Sequence, residues 1–467
     1  MRQTFSYDYI IIGSGPAGSI LANNLATHGS KVALIERASN KRFVGNKNSY
    51  IFSPYINKCP NFYTPQFSDQ LGGNSVLWNN KIFLISEDEF NKFNWGFTYN
   101  ELKKYSLDLS SKLNIDHNSI NYVEENAELK LSSSKREKKL GNIFKFLKIK
   151  ENNNIDLYYP YSPVEIKTEE NYAKQLKIVK ENSKDEIFLK IKKALILCAG
   201  GLGNPNLINN LLPNSSKLTG KNLCDHPHIN ISRFSKKDSK EFSHFAKYFL
   251  RKKMDLYEKN AYLEKNKIFA GIQMDLHEDP LKHLKKIYIS IQSINLKKFF
   301  LFFILIYDYV FKIFKKFMSL FKIGYKYSFE FFFSQSLNQN NSVSLNTSNK
   351  DKYGLFKSDI NLSFSDDDIK TYNELVELFF KEKIKNKNIK YKKFNVEKIL
   401  IGLHPSCTTI IGDNISNGCV DKDLNLFGYK NVFVSGSSVF KTNGFTNPTW
   451  TIMTLSNRLS FYLQKNF

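Results

Sequence analysis

The chain has few cysteines and no long uncharged hydrophobic run, and it is short of acidic residues. Its five cysteines are odd in number and widely spread over 467 residues, which argues against a disulfide framework and for a reducing compartment. A secretory signal is not expected either, because the first predicted strand already begins at Tyr7. We therefore expect a cytoplasmic location.

The longest uncharged apolar run, Phe299 to Tyr307, is well short of the ~20 residues that span a bilayer. It opens the segment 297–323, in which a lysine-rich helical face lies opposite a phenylalanine-rich one. This pattern predicts a helix lying on a membrane surface. The alternative is a helix packed on its own domain or on a dimer partner.

Basic residues outnumber acidic ones by 68 to 44, so the formal net charge is +24. Such an excess is typical of proteins that bind nucleic acid or anionic lipid. Because the sequence shows no nucleic-acid recognition fold or RNP-like aromatic motif, we expect no nucleic-acid partner. We expect instead peripheral association with an anionic membrane surface, on its cytoplasmic face.

The first 40 residues carry a nucleotide-binding pattern. The apolar run Tyr7 to Ile12 predicts a buried parallel strand, and Lys31 to Ile35 predicts a second one that ends at Glu36 and Arg37. Between the strands lie a predicted helix up to His28 and, before it, the glycine-rich turn Gly13-Ser14-Gly15-Pro16-Ala17-Gly18.

Each part of this pattern has a physical role in binding a dinucleotide. Gly13 permits a tight turn, Gly15 lets the backbone approach a pyrophosphate, and Gly18 allows close packing of helix on strand. The helix N-terminus offers free N–H groups to the phosphates. Glu36 can accept hydrogen bonds from ribose hydroxyls. An acid at this position argues against a 2′-phosphate, so NADP is disfavoured.

Four further segments suit an extended cofactor. Two are a glycine loop and a buried-strand run, Ala194 to Cys198, that ends in a glycine turn. The other two are a second strand-turn unit, Asn431 to Ser435, and a predicted helix that begins after Pro448. Their candidate cofactor-binding residues are Gly72, Gly73, Asn74, Ser75, Trp78, Ala199, Gly200, Gly436, Ser437, Asn447, Pro448 and Thr449.

Together these segments resemble the glucose–methanol–choline (GMC) oxidoreductases, a family of FAD-dependent alcohol dehydrogenases and oxidases. The tail is most similar to the sugar dehydrogenase and pyranose-oxidase branch. The resemblance implies an α/β fold with a discontinuous Rossmann-like FAD-binding domain, made of residues 1–85, 185–235 and 396–467. An α+β substrate domain with an antiparallel sheet is inserted at 86–184 and 236–395. Within it, Ser132 to Asn154 reads as a solvated linker or a flexible loop.

The resemblance also assigns the chemistry. A flavin accepts a hydride from an alcohol carbon, and a base must accept the hydroxyl proton. By resemblance His404 is that base, for which a neutral imidazole is suited, and Asn447 orients the hydroxyl. Leu77 stands where pyranose oxidases attach FAD through a histidine, which implies non-covalent FAD.

Three features depart from the family pattern or invite another interpretation. Cys407 replaces a glycine and would add a side chain near the flavin, and Phe445 stands where related sugar dehydrogenases often have a histidine. His226 and His228 suggest a metal pair, but no cysteine or acid with ligand spacing accompanies them. We therefore expect no metal, and His226 is interpreted as part of the turn that holds the cofactor region.

The predicted function is thus FAD-dependent oxidation of a CH–OH group on a sugar, glycoconjugate or lipid-linked alcohol. A dehydrogenase that reduces a quinone or carrier protein is favoured over an oxidase. The alternatives are a flavin oxidoreductase acting on a non-alcohol substrate and a flavin-bound protein without alcohol oxidation.

Overall fold

The computed structural model describes residues 4–37, 55–57, 70–78, 80–116, 122–126, 129–136, 140–180, 185–235, 257–276, 326–384, 390–399, 401 and 404–467. The predicted membrane-surface helix 297–323 lies outside these residues. Among the residues described, no helix combines the length and the hydropathy needed to cross a bilayer.

The described strands form three sheets. In chain order they are β1 (Thr4–Ile12), β2 (Val32–Ile35), β3 (Tyr55–Asn57), β4 (Lys81–Ile82), β5 (Tyr122–Asn126), β6 (Leu129–Arg136), β7 (Ile155–Tyr158), β8 (Tyr161–Glu169), β9 (Tyr172–Lys180), β10 (Glu186–Leu197), β11 (His228–Ser235), β12 (Tyr257–Lys265), β13 (Ile268–Leu276), β14 (Lys326–Phe333), β15 (Ser342–Lys350), β16 (Phe356–Asn361) and β17 (Val432–Val434).

The helices pack on these sheets or link them. They are α1 (Pro16–Thr27), α2 (Glu87–Asn91), α3 (Tyr99–Lys112), α4 (Ile143–Phe146), α5 (Gly200–Leu211), α6 (Asp366–Leu378) and α7 (Thr449–Asn466). A π-helical turn, Phe379–Ile384, continues α6, and 3-10 turns occur at Gly73–Val76, Ile149–Glu151, Val396–Lys398 and Ser437–Val439.

The first sheet has a parallel part in the order β7-β2-β1-β10-β17. The apolar run of β1 is buried, as expected for a central parallel strand with both faces covered. Helices α1 and α7 pack on each other, and buried Asn24 donates to Asn457 Oδ1 at 2.8 Å across their contact. This arrangement confirms the predicted Rossmann-like α/β class.

The first sheet also differs from the predicted division of the chain. Strands β7, β8 and β9 come from residues 155–180, which were assigned to the substrate domain, yet they pair within the sheet of β1. β7 adds a parallel edge next to β2, and the β8–β9 hairpin extends the first half of β10 in antiparallel fashion. The rest of the predicted division stays a prediction.

The interpretation of Ser132 to Asn154 as a linker was wrong. Residues of β6 pair with β12 and β5 in the second sheet, and α4 follows shortly after. The polar composition of this stretch concealed a strand, since strand pairing depends on neighbours that are distant in sequence.

The second sheet is antiparallel, with the order β11-β14-β13-β12-β6-β4 and β5 paired to β6. On β14, Phe329, Phe331 and Phe333 alternate with other residues and so share one face. That face packs against α6, where Tyr372 lies 4.4 Å from the Phe333 ring. The predicted α+β part with an antiparallel sheet is thereby confirmed. β15, β16 and β3 form the third sheet.

Helix α7 is anchored by one buried cation. The Arg458 guanidinium donates to Glu101 Oε1 at 2.8 Å, to Asp423 Oδ1 at 2.9 Å and to the Lys422 carbonyl at 2.7 Å. Because Glu101 belongs to α3 and Asp423 to the loop before β17, this one side chain fixes α7 against two other elements.

Candidate active site

The carboxyl ends of the parallel strands meet at one edge of the first sheet. Gly13 follows β1, Glu36 follows β2, Ala199 follows β10 and Gly436 lies two residues after β17. In open α/β sheets this edge is where ligands bind. The sequence-predicted cofactor residues are therefore brought together from three separate parts of the chain.

The glycines of the first turn serve different purposes. A Cβ at Gly18 would lie 1.9 Å from the Gly13 carbonyl oxygen, so this glycine is needed for the packing of α1. A Cβ at Gly15 would meet nothing within 4 Å. The open space at Gly15, beside a helix N-terminus with no side-chain cap, fits a pyrophosphate.

Glu36 lies beside this turn, as predicted. Its Oε2 accepts hydrogen bonds from Ser14 N–H at 2.9 Å and from Ser14 Oγ at 2.8 Å. Ser14 Oγ in turn accepts from the Gly72 N–H at 3.0 Å. The carboxyl is thus held at the end of β2, where a cofactor ribose is expected, and Arg37 follows it directly.

The predicted glycine loop closes over the same turn. A Cβ at Gly73 would lie 3.1 Å from Gly15 Cα, so the two backbones are in close contact. Ser75 Oγ donates to the Gly72 carbonyl at 2.6 Å, which stabilises the loop. Trp78 donates its indole N–H to the Gly141 carbonyl at 2.6 Å and packs on the main core, a structural role.

Asn204 connects the ends of β10 and β17. Its Oδ1 accepts from the Ala199 N–H at 2.7 Å, and its Nδ2 donates to Ser438 Oγ at 2.9 Å and to the Ser435 carbonyl at 3.2 Å. A Cβ at Gly436 would lie 3.7 Å from Gly200 Cα. Both predicted glycine turns therefore lie side by side.

His404 and Asn447 line the same small cavity, although 42 residues separate them in the sequence. The volume of the cavity is about 20 Å³, room for roughly one water molecule. Asn447 precedes α7, whose first turn contains Thr449 and follows Pro448. The other lining residues are Phe83, His226, His228, Gly271, Gln273, Phe332, Phe445 and Thr446.

Three imidazoles meet at this cavity. The ring of His226 lies between the other two, with centroids 4.3 Å from His404 and 4.9 Å from His228. Asp225 fixes the backbone geometry, because its Oδ1 accepts from the N–H of His226 at 2.8 Å and from that of His404 at 3.1 Å.

All three imidazoles are held neutral. Burial lowers the pKa of His226 to about 4. Burial, followed by the neighbouring charges of His226 and Lys81, lowers the pKa of His404 well below its usual range. The pKa of His228 is lowered by burial and by the same neighbours together with His404. Each ring therefore keeps one nitrogen lone pair at neutral pH.

Glu89 is a buried acid next to the cavity-forming tail. Its Oε1 accepts from Thr442 Oγ1 at 2.9 Å, while Oε2 has no hydrogen-bond partner among the described atoms. Burial raises the pKa of Glu89 to about 8, although the Thr442 hydrogen bond lowers it. Sequence analysis did not identify Glu89, because nothing in the α2 sequence distinguishes a buried acid from a solvated one.

The two departures from the family pattern have different structural consequences. Cys407 has a φ of +65°, the left-handed region that glycine adopts without strain, and its side chain lies in the main core. It does not line the described cavity. Phe445 does line it, and its ring packs against Tyr262 at 5.1 Å and Phe83 at 5.9 Å.

The clustering of the three histidines was not predicted from the sequence. His226 and His228 were noted as a pair, but their approach to His404, some 180 residues away, was not foreseen. No local signal reveals this approach, because it depends on the fold that brings His226 next to His404.

Comparisons with known proteins agree with this geometry. Residues 338–456 match the family model of GMC oxidoreductases, and residues 6–47 match that of an FAD binding domain. Residues 338–456 thus form a GMC oxidoreductase domain, which confirms the resemblance predicted from the sequence. FAD is therefore its cofactor, and the open glycine turn and Glu36 fit such a dinucleotide.

Solved structures of the family share the fold. Pyridoxine 4-oxidase from Mesorbium loti is 14% identical, with a TM-score of 0.63 over 99% of this chain and all of that one. Formate oxidase from Aspergillus oryzae RIB40 is 15% identical, with a TM-score of 0.60 over 99% of this chain and 98% of that one. At these identities the likeness shows the fold alone.

One curated relative matches a short segment. A soluble pyridine nucleotide transhydrogenase from Pectobacterium atrosepticum is 55% identical over 40 residues, which is 9% of this chain and 8% of that protein. So brief a match adds nothing to the activity of the whole chain.

Proposed function

We propose that this FAD oxidoreductase oxidises a CH–OH group, with His404 as the base and Asn447 as its hydrogen-bonding partner. The observation that carries the proposal is that both side chains line one cavity. FAD, when bound, supplies the acceptor for the hydride. The substrate class and the roles of both residues go beyond the family assignment.

The environment of His404 supports its role. Its Nδ1 is buried without a partner, which leaves Nε2 as the ring nitrogen toward the cavity. Because the lowered pKa keeps the ring neutral, Nε2 has a lone pair available to accept the hydroxyl proton. The backbone of His404 is held by Asp225, so the imidazole is attached to a fixed main chain.

The residues that line the cavity favour a substrate whose hydroxyl is attached to an uncharged, apolar group. Phe83, Phe332 and Phe445 are large aromatic neighbours, and Gln273 and Asn447 are the amides that can orient a hydroxyl. Among the predicted substrates, these walls favour a lipid-linked or otherwise apolar alcohol over a free sugar. An amide can accept and donate hydrogen bonds at once, as a reacting hydroxyl requires.

Anaerobic bleaching of the bound flavin tests the proposal. A panel of lipid alcohols, polyols and sugars is mixed with oxidised enzyme, and loss of the flavin absorption is followed. His404→Ala should slow bleaching by at least about 100-fold while FAD stays bound, since a general base contributes 10²–10⁴-fold. His28→Ala, at an exposed position after α1, is the matched control. Bleaching at the wild-type rate in His404→Ala would refute the assigned base.

The electron acceptor is a separate question. We predict a dehydrogenase that reduces a quinone or carrier protein, although the two solved relatives are named oxidases. Peroxide yield measured against quinone or dye reduction during turnover distinguishes the two. Stoichiometric peroxide in air would contradict the prediction.

We also propose peripheral membrane binding through residues 297–323, on the basis of their lysine and phenylalanine pattern and the net charge of +24. Sedimentation with phosphatidylserine vesicles should exceed that with phosphatidylcholine vesicles and fall with salt. Replacing Lys312, Lys315 and Lys316 with Gln should remove the difference. Equal sedimentation with both lipids would refute the proposal.

A further inference from the structure

The three imidazoles at the cavity come close enough to share one ion. One ring nitrogen from each of His226, His228 and His404 lies within 4.8 Å of the other two. In a tetrahedral zinc site, with Zn–N bonds of about 2.0–2.1 Å, the ligand nitrogens are about 3.4 Å apart. Small side-chain rotations that draw the rings together would therefore complete the geometry.

Each of the three rings has one buried nitrogen without a hydrogen-bond partner in the part of the chain that the structure describes. His226 Nε2, His228 Nε2 and His404 Nδ1 are buried and have no hydrogen-bond partner among the described residues. Leaving such groups unpaired is costly, typically about 1–3 kcal/mol each. Hydrogen bonding among the rings could satisfy some of them, whereas one cation would satisfy all three.

His226 also has the outer contact expected of a metal ligand. Its Nδ1 lies 3.4 Å from the Gly444 carbonyl oxygen. A hydrogen bond from Nδ1–H to that oxygen places the lone pair on Nε2, and metal-ligating histidines commonly have this arrangement. The carboxyl of Asp225 fixes the backbones of His226 and His404 relative to each other, so two of the three ligands are held before any ion binds.

We propose that His226, His228 and His404 form a binding site for one divalent transition-metal ion, and that occupancy prevents His404 from acting as a base. Three neutral imidazoles suit Zn²⁺, Cu²⁺ or Ni²⁺, whereas Mg²⁺ and Ca²⁺ prefer oxygen ligands. The fourth position of a tetrahedral ion is left to a water molecule, as in other sites with three histidines. The absence of a carboxylate from the ligand set and the nearby charge of Lys81 predict modest affinity.

The consequence for catalysis follows from proton positions and rests on the proposed function. An ion bound to His404 through Nδ1 leaves the ring proton on Nε2, the nitrogen that faces the cavity. That nitrogen then has no lone pair to accept a hydroxyl proton. Metal binding should therefore inhibit alcohol oxidation reversibly, without displacing FAD.

Direct metal binding tests the site independently of turnover. Tag-free, FAD-loaded enzyme is stripped with a chelator and titrated with Zn²⁺ in competition with a chromophoric chelator. We expect one zinc per chain, and at least about a tenfold loss of affinity in His228→Ala, since even residues beyond the ligands cost 10–100-fold. His28→Ala should bind as wild type does, because His28 is exposed at the end of α1 and does not line the cavity.

Two further measurements make the outcome decisive. Co²⁺ bound to the stripped enzyme should show the intense d–d absorption of tetrahedral nitrogen coordination, to the red of the flavin bands. His228→Gln, which keeps the approximate size of the ring, should lose that spectrum while its FAD content and melting temperature stay close to those of wild type. If wild type, His228→Ala and His228→Gln bind Zn²⁺ equally, or if none of them binds it, the site does not exist.

The inhibition is judged separately. Flavin bleaching by an alcohol substrate should fall in proportion to zinc occupancy and recover when chelator is added. Zinc binding without inhibition would overturn the proposed block of His404. If zinc binds but none of the tested alcohols bleaches the flavin, the metal site stands and the proposed function is refuted instead.

Discussion

The ionisation of Glu89 gives the sharpest test of the structure. This acid is about 1% exposed, and the pKa of its carboxyl is raised to about 8 by burial. In an unfolded chain the pKa of the same group returns to about 4.5. Between these two values the folded protein holds a proton that the unfolded chain has released, so stability must fall as the pH rises.

The magnitude follows from the two pKa values. Each pKa unit corresponds to about 1.36 kcal/mol, and most of the interval between 4.5 and 8 is crossed between pH 5 and pH 8. Linkage then predicts that Glu89 alone lowers the free energy of unfolding by about 3.5 kcal/mol over that range. This sign is opposite to that of an acid stabilised by a salt bridge.

Glu89→Gln isolates the effect. The amide keeps the shape and its Oε1 can still accept from Thr442, but it cannot ionise. The variant should be more stable than wild type by about 4 kcal/mol at pH 8 and by about 1 kcal/mol or less at pH 5. Glu87→Gln, at an exposed position in the same turn of α2, is the control and should leave the pH dependence unchanged.

The assay combines urea unfolding of the FAD-loaded enzyme at both pH values with infrared spectroscopy. At pH 6, wild type should show the C=O stretching band of a protonated carboxylic acid that Glu89→Gln lacks, and the band should diminish as the pH rises through 8. A wild-type protein without this band at pH 6, and with the same pH dependence of stability as Glu89→Gln, would show that Glu89 is ionised and refute the reasoning.

Three other predictions follow from the contacts described above. Gly18→Ala should destabilise the protein by about 1–3 kcal/mol through overpacking. Gly15→Ala should leave the stability unchanged and weaken FAD binding in a fluorescence titration. A loss of stability in Gly15→Ala and a loss of FAD affinity alone in Gly18→Ala would contradict the assigned roles. Arg458→Met should cost about 3 kcal/mol in thermal unfolding because it removes the three hydrogen bonds of a buried guanidinium. Lys422→Met, at a more exposed position, should cost less than about 1 kcal/mol. The kcat/KM for alcohol oxidation should be independent of pH above about 6.5 and fall only at lower pH, since burial lowers the pKa of His404; an acid limb centred above 6.5 would exclude His404 as the base.

The nucleotide-binding half of the fold could be predicted because its signals are local. Gly13, Gly15, Gly18 and Glu36 lie within 24 residues, and each has a role set by the turn, the helix or the strand next to it. The structure places Glu36 beside the turn as expected. The adjoining loop at Gly72 required a family resemblance, since nothing local indicates which turn it contacts.

The rest of the fold and of the candidate site depends on contacts between residues that are distant in the sequence. The assignment of 155–180 to the first sheet is decided by pairing with β2 and β10, and short strands carry no information about their partners. The approach of His226 to His404 depends on the backbone contacts of Asp225. Likewise, the environment of Glu89 is created by a tail that lies some 350 residues later.

The buried ionisable groups around the cavity indicate what kind of molecule it admits. Burial keeps His226 and His404 without charge and favours the neutral form of Glu89 below pH 8, while the chain as a whole carries a net charge of +24. Lys81 is near the cavity, but no lysine or arginine is among the described residues that line it. An anionic group would gain little there and would lose its hydration. The cavity therefore suits the uncharged hydroxyl end of the proposed alcohol substrate.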